Sequence, residues 1–166
     1  MSNVLIGIIG VILFIGLALA GALILGDDFT SASASSKASS VMSQVQQVAS
    51  AISMYNLKTG RTMTAADYSS NGQALLVPRF LKSMPVNVSG GGLQVQDSGG
   101  SNASSNRAYI VAADLPRVAS SKAICQAAAE GAGREMDNGY FSMVLGTIGC
   151  AYSSQDPLYF AIYAKI

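Results

Sequence analysis

The sequence predicts an α+β fold in which a long N-terminal helix packs on a small antiparallel sheet. Two observations predict the helix: an uncharged apolar run extends from Val4 to Gly26, and a narrow apolar seam with helical spacing follows it. A third predicts the sheet, because after Gly60 the chain changes to short alternating or β-branched segments separated by turn residues. A chain of 166 residues has room for one ordinary domain and one appended element.

The composition excludes the usual machinery of most enzyme classes. Half of the residues are apolar, only 11% are charged, and histidine is absent. Nucleophile systems that use an imidazole base and metal sites with histidine ligands are therefore excluded. The acidic residues and Ser-Lys neighbours lack the spacing of a catalytic or calcium site, so we expect no enzymatic activity, metal or cofactor. The net charge of +1 predicts no nucleic-acid partner.

Residues 1–28 are predicted to form a hydrophobic helix that anchors the chain in a membrane or builds the core of a filament. As a helix, the run from Val4 to Gly26 would span about 35 Å, against about 30 Å for the hydrocarbon core of a bilayer. A cleavable secretory signal is the alternative, since Ala18-Leu19-Ala20 resembles a cleavage site, but a basic n-region is missing.

Small residues punctuate this segment and predict close helix-helix packing. They are Gly7, Gly10, Gly16, Ala18, Ala20, Gly21, Ala22 and Gly26. Several are four residues apart, the spacing that lets helix backbones approach when lipid supplies no hydrophobic drive. Self-association through the helix is the more specific explanation of these small residues. Ordinary membrane-helix composition is the alternative.

Residues 29–60 are predicted to continue the helix as an amphipathic half. The seam that would pack on the globular head has intervals of four, three, four and three residues: Val41, Val45, Val48, Ile52 and Tyr55. The serine-rich stretch before it is compatible with a flexible linker or with a thin, closely packed helix. Gly60 is the expected stop, so one helix of more than 50 residues is predicted, with an interruption near Gly26 left open.

Residues 61–166 are predicted to form a globular α+β head. The expected elements are a short helix in 65–76, a loop between Pro78 and Pro85, strands at 93–96, 108–113, 140–145 and 158–164, and a second helix ending at Gly131. Asp114 is expected to cap the start of that second helix, with Pro116 in its first turn.

Cys125 and Cys150 predict a disulfide, because the upstream segment indicates export and the spacing is not that of a redox or metal motif. Two buried free thiols in a cytosolic domain are the alternative. Asn87 and Asn102 each begin a glycosylation sequence in a predicted loop, where a glycan would be sterically possible.

These features together resemble a type IV pilin: an uncharged N-terminal helix, an amphipathic continuation ending in Met54-Tyr55-Asn56-Leu57-Lys58-Thr59-Gly60-Arg61, a small mixed head and a late cysteine pair. The cysteine pair looks more like that of pilins in the type IVb branch. The resemblance implies a pilin-like fold and a filament subunit that serves adhesion or motility. It also implies residence in the inner membrane, extraction by the pilus assembly machinery, and bundling of the N-terminal helices in an extracellular homopolymer on the bacterial surface.

The chain departs from the family at its N-terminal end. The family usually has a glutamate near the start of the apolar segment, whereas this chain has Leu5 and no acid before Asp27, so we expect packing alone to set the assembly register. Met1 is the candidate processed end, with N-methylation expected there if the sequence is the mature chain. Two alternatives stay open: a single-pass anchored periplasmic or surface binding domain, and a minor pilin or secretion-system pseudopilin.

Overall fold

The computed structural model describes residues 2–97, 109–138, 147–153 and 156–166, and this part of the chain has an α+β fold. Its helices are α1 (Ser2–Thr59), α2 (Ala65–Leu76) and α3 (Ser120–Gly131). Its strands are β1 (Leu93–Asp97), β2 (Tyr109–Asp114), β3 (Asp137–Asn138), β4 (Ile148–Tyr152) and β5 (Phe160–Lys165). The α+β class and the long first helix agree with the sequence prediction.

The chain divides into two compact units, Met1–Ser33 and Ala34–Ile166, which we call the N-terminal unit and the head unit. The described residues of the N-terminal unit are helical throughout. The head unit contains the second half of α1 together with all of the strands and both shorter helices. Among the residues that the structure describes, no helix combines the length and the apolar character needed to cross a membrane.

The second half of α1 contributes a continuous buried seam to the head unit. Val41, Val45, Val48 and Ile52 are fully buried, and Tyr55 is 8% exposed. Ala34 and Ala38 extend the same four-three spacing by about two more turns and are also buried. Small residues at the start of the seam and larger ones further on let this helix enter the same apolar core as β2, β5 and α3.

Gly60 ends α1, and a compact turn then starts α2. Gly60 has a φ of 65°, a left-handed conformation that glycine adopts without a steric penalty, and its N–H donates to the Asn56 carbonyl at 2.9 Å. The Asn56 side chain accepts from the backbone N–H of Met63, whose own side chain is fully buried. Thr64 then caps α2 reciprocally with Asp67. These contacts fix where α2 begins.

The strands form one sheet in the order β1-β2-β5-β4-β3. All neighbouring pairs are antiparallel except β3 with β4. Val111 and Ile162 belong to the core shared with α1 and α3, whereas Ala112 and Tyr163, which alternate with them, belong to a second buried cluster. The two clusters lie on opposite faces because successive side chains of a strand alternate.

The predicted start of the second helix is wrong. Asp114 ends β2, where its backbone pairs with Ala161, and its N–H donates to the Gly92 carbonyl at 3.0 Å. The helix begins only at Ser120, and Ala119 at its N-cap gives no side-chain hydrogen bond. Pairing in the sheet therefore outcompetes the local capping preference of Asp114.

The other head elements agree with the sequence prediction in varying detail. The predicted helix in 65–76 is α2, and the predicted strands at 93–96, 108–113 and 158–164 correspond to β1, β2 and β5 within one or two residues. Strands β1 and β2 pair as an antiparallel hairpin. The predicted strand at 140–145 lies outside the described residues. Strand β4 was not predicted.

Candidate assembly surface and ligand groove

The described part of the N-terminal unit exposes a continuous series of large apolar side chains. Their exposed fractions range from 49% to 74%, and they are Ile6, Ile8, Ile9, Val11, Ile12, Leu13, Phe14, Ile15, Leu17 and Leu19. Isolated apolar residues on a protein surface are ordinary, but a series of this length is not. Covering one such side chain completely is worth about 1.5–3 kcal/mol, so this surface favours contact with another apolar surface.

The glycines of this unit have no packing role within the described part of the protomer. A Cβ at Gly7, Gly10, Gly16 or Gly21 would find nothing within 4 Å. Glycine in a helix interior costs roughly 1 kcal/mol relative to alanine, so these four positions weaken the helix without an internal contact in return. Within the described protomer, no neighbouring group therefore uses the space that the missing side chains leave.

The structure describes only some of the remaining small residues of the predicted packing set. Ala18 and Ala20 are exposed. The surroundings of Ala22 and Gly26, and Met1 as the candidate processed end, lie outside what the structure describes. Gly16 and Ala20 are thus the small-xxx-small pair that can be placed, and both are on the solvent side of the helix.

The predicted disulfide between Cys125 and Cys150 is confirmed, with a Cα–Cα distance of 5.4 Å. Both half-cystines are fully buried, one in α3 and one in β4, so the bridge ties the helix to the sheet inside the core. The sequence separation of 25 corresponds to roughly 3 kcal/mol of stabilisation if the bridge acts by restricting the unfolded chain.

The head unit contains an open groove of about 600 Å³ between α2 and the segment that leads into β1. One wall is the stretch of α2 from Tyr68 to Ala74. The other wall is formed by Met84, Pro85, Val86 and Asn87, with Gly91 and Leu93 at its end. None of these lining residues carries a charge.

Asn87 anchors the wall opposite α2. Its side chain is 6% exposed; the amide nitrogen donates to the Asp114 carbonyl at 2.9 Å, and the amide oxygen accepts from the backbone N–H of Ser89 at 3.0 Å. Gly91 lies so close to the same Asp114 carbonyl that any Cβ at position 91 would overlap it. The loop is therefore fixed to the end of β2 by a buried side chain and a close backbone approach.

This anchor corrects the expectation that a glycan is sterically possible at Asn87. The attachment atom of an asparagine-linked glycan is the amide nitrogen, which here is buried and donates to the sheet. Attachment of a sugar would require the side chain to leave the anchor. Asn102, the other candidate, lies outside the described residues.

Tyr68 forms the aromatic part of the other wall. A Cβ at Gly72 would lie 2.7 Å from the Tyr68 ring, so the ring packs directly over the helix backbone one turn further on. Burial raises the pKa of the Tyr68 hydroxyl, which therefore stays protonated and neutral at physiological pH. An unsubstituted residue 72 is what allows the ring to take this position.

Asp114, whose backbone carbonyl accepts from Asn87, is a partly buried carboxylate with structural contacts. Burial raises its pKa, while the Tyr159 hydroxyl, which donates to it at 2.9 Å, and the charge of Arg117 act in the opposite direction. Gln94 donates to its other oxygen at 2.8 Å. In the described part of the chain, no group of three or more His, Cys, Asp or Glu side chains is placed to hold a metal ion.

Sequence reasoning did not find the groove. The available signals were a glycine in the middle of a predicted helix, Gly72, and the Asn87-Val88-Ser89 sequence, which was considered for glycosylation instead of as a buried turn. Comparison of the chain with protein-family models, with curated proteins and with solved structures gave no match. The surfaces described above therefore carry the functional argument.

Proposed function

We propose that this protein is a structural subunit of an extracellular type IV pilus-like filament that polymerises through its hydrophobic N-terminal helix. One observation carries the proposal: α1 exposes large apolar side chains from Ile6 to Leu19, and the glycines among them have no contact within the described protomer. Parallel copies of this helix would cover each other's apolar side chains and approach closely at the glycines. The partner is thus a second copy of the same chain.

The head unit supports this function as a stable outer body. Its core is shared between the seam of α1, the sheet and α3, and the disulfide adds a covalent tie between α3 and β4. Such a body withstands export and exposure outside the cell. In this proposal the chain resides in the inner membrane before assembly, is handed to the filament by the pilus assembly machinery, and supports adhesion or motility without enzymatic activity.

The first experiment is electron microscopy of material sheared from the cell surface, with mass spectrometry to identify the chain and the mass of its N-terminal peptide. Helical fibres composed of this chain are expected, and the peptide mass will show whether Met1 is the processed and methylated end. Recovery of the chain only as a membrane-bound monomer, with no fibre containing it, would overturn the proposal.

The close-packing part of the proposal is tested by Gly16→Leu and Ala20→Leu. Each variant adds bulk where the described protomer has open space, so the isolated head unit should remain folded while fibres disappear. Ala66→Leu on the exposed side of α2 is the matched control and should leave fibres unchanged. Normal fibres from both N-terminal variants would contradict close packing through this helix.

The groove of the head unit favours a second candidate function, a single-pass anchored periplasmic or surface binding domain that works as a monomer. This candidate predicts a detergent-extractable monomer and no polymer. A minor pilin or pseudopilin would instead be present in fibres at a small fraction of the total subunit mass, which quantitative mass spectrometry of the same sheared material would show.

A further inference from the structure

The groove between α2 and the 84–93 segment presents polar groups that are not used within the described structure. Tyr68, Asn71 and Gln73 are among its lining residues, and within the described residues the Tyr68 hydroxyl and the two side-chain amides have no hydrogen-bond partner. Tyr68 and Asn71 are three positions apart and are therefore neighbours on one side of α2, where a hydroxyl and an amide together offer donors and acceptors. A ligand that carries several hydroxyl groups would satisfy them.

The lining also defines the charge of the ligand. A second groove of the head unit includes Lys122, Glu130 and Arg134, and a third includes Lys165, but the groove at α2 has no ionised side chain among its lining residues. A charged ligand would lose hydration on entering without gaining an ion pair. The lining therefore favours a neutral ligand.

The groove has an apolar side as well as a polar one. The Tyr68 ring, Met84 and Leu93 are partly buried against the core and line the groove, so they offer a surface on which C–H groups can rest. A sugar ring has this combination of an apolar face and a hydroxyl rim, and aromatic rings together with amides are suited to it. From Tyr68 to Ala74 the wall runs for about 9 Å along the helix axis, enough for a short saccharide.

Both walls are held in place before any ligand arrives. Asn87 and the close approach of Gly91 fix the loop to Asp114, while Gly72 leaves room for the Tyr68 ring against α2. Glycine within a helix is unfavourable relative to alanine, so the position of this ring is obtained at a cost in helix stability. Fixed walls reduce the conformational entropy that binding has to overcome.

We propose that this groove binds a neutral saccharide of two or three sugar units, with the Tyr68 ring against an apolar sugar face and the Asn71 amide bonded to hydroxyl groups. The binding site belongs to the head unit alone. It does not depend on polymerisation, so this proposal and the filament proposal can fail separately.

Saturation-transfer NMR on the full chain, dispersed in a detergent without a sugar headgroup, tests the proposal with lactose and N,N′-diacetylchitobiose as neutral probes. Transfer to at least one of them is expected, and a sulfated heparin disaccharide should receive none. Absence of transfer to both neutral probes, or stronger transfer to the sulfated one, would overturn the proposal.

Variants then locate the site. Tyr68→Phe and Asn71→Ala each remove one polar group and should weaken binding by about threefold to tenfold, because one hydrogen bond is lost. Gly72→Ala should weaken it while leaving every polar group in place, since the Tyr68 ring has to move. Gln126→Ala, on the exposed side of α3, is the matched control. Equal affinities across all four variants would place the saccharide elsewhere and refute the assignment.

Discussion

Replacing the glycines of the N-terminal unit with alanine should stabilise the free helix and weaken the filament at the same time. In the variant with alanine at positions 7, 10, 16 and 21, each new methyl group enters open space in the described protomer. Each replacement favours the helix by about 0.8–1.0 kcal/mol, so four of them add about 3–4 kcal/mol if the sites act independently. In a bundle the same methyl groups stand where neighbouring backbones would approach.

Two measurements separate these opposite effects. Hydrogen exchange of residues 6–21 in the dispersed chain should become slower in the alanine variant, and the yield of sedimentable fibres should fall. Gly131→Ala is the control, because a Cβ at this helical glycine would lie 4.0 Å from the Met42 sulfur, an ordinary van der Waals contact. Slower exchange with an undiminished fibre yield would refute the reasoning that the glycines serve close contact between copies.

Three further predictions concern the head unit. Replacing both Cys125 and Cys150 with alanine should lower the free energy of unfolding by roughly 3 kcal/mol, measured by denaturant titration against the oxidised protein; an unchanged midpoint would contradict this. Ile52→Ala should cost about 2–5 kcal/mol, because the side chain is fully buried in the shared core, and a loss below 1 kcal/mol would argue against that packing. The hydrogen bonds from Thr64 hold the pKa of Asp67 below its ordinary value, so their contribution to stability is present above the ordinary carboxyl pKa and is lost as the pH falls through the lowered one. Thr64→Ala removes the hydroxyl hydrogen bond and keeps the backbone one, so it should reduce this acid-side loss in pH-dependent thermal unfolding in part, whereas Asp67→Asn should abolish it; an unaltered profile in Asp67→Asn would refute the reasoning.

Sequence patterns predicted the structural elements that depend on residues close together in the chain. The four-three spacing from Val41 to Tyr55 defines a buried helix face wherever the partner surface lies, and Gly60 ends the helix because only glycine takes its conformation without strain. The disulfide followed from two cysteines and an indication of export.

Features that depend on tertiary contacts were not predictable in the same way. Asp114 has the chemistry of a helix cap, but pairing with Ala161 keeps it in the sheet. Strand β4 lacks an alternating pattern because Gly149 leaves space for the hydroxyl end of Tyr163, a neighbour from another strand. The groove is formed by two segments that come together only on folding, so no contiguous sequence pattern predicts it.

The buried seam of α1 has a mechanical consequence. The helix that supplies residues 34–55 to the core is also the part of the head unit that continues from the preceding chain. A force applied to the chain before Ala34 therefore acts directly on a helical segment that is buried in the head unit. This segment is not a peripheral linker that could extend before the core is disrupted. Pulling this segment out of the head would disrupt the core, so the packing of residues 34–55 contributes both to folding stability and to the force that the head resists.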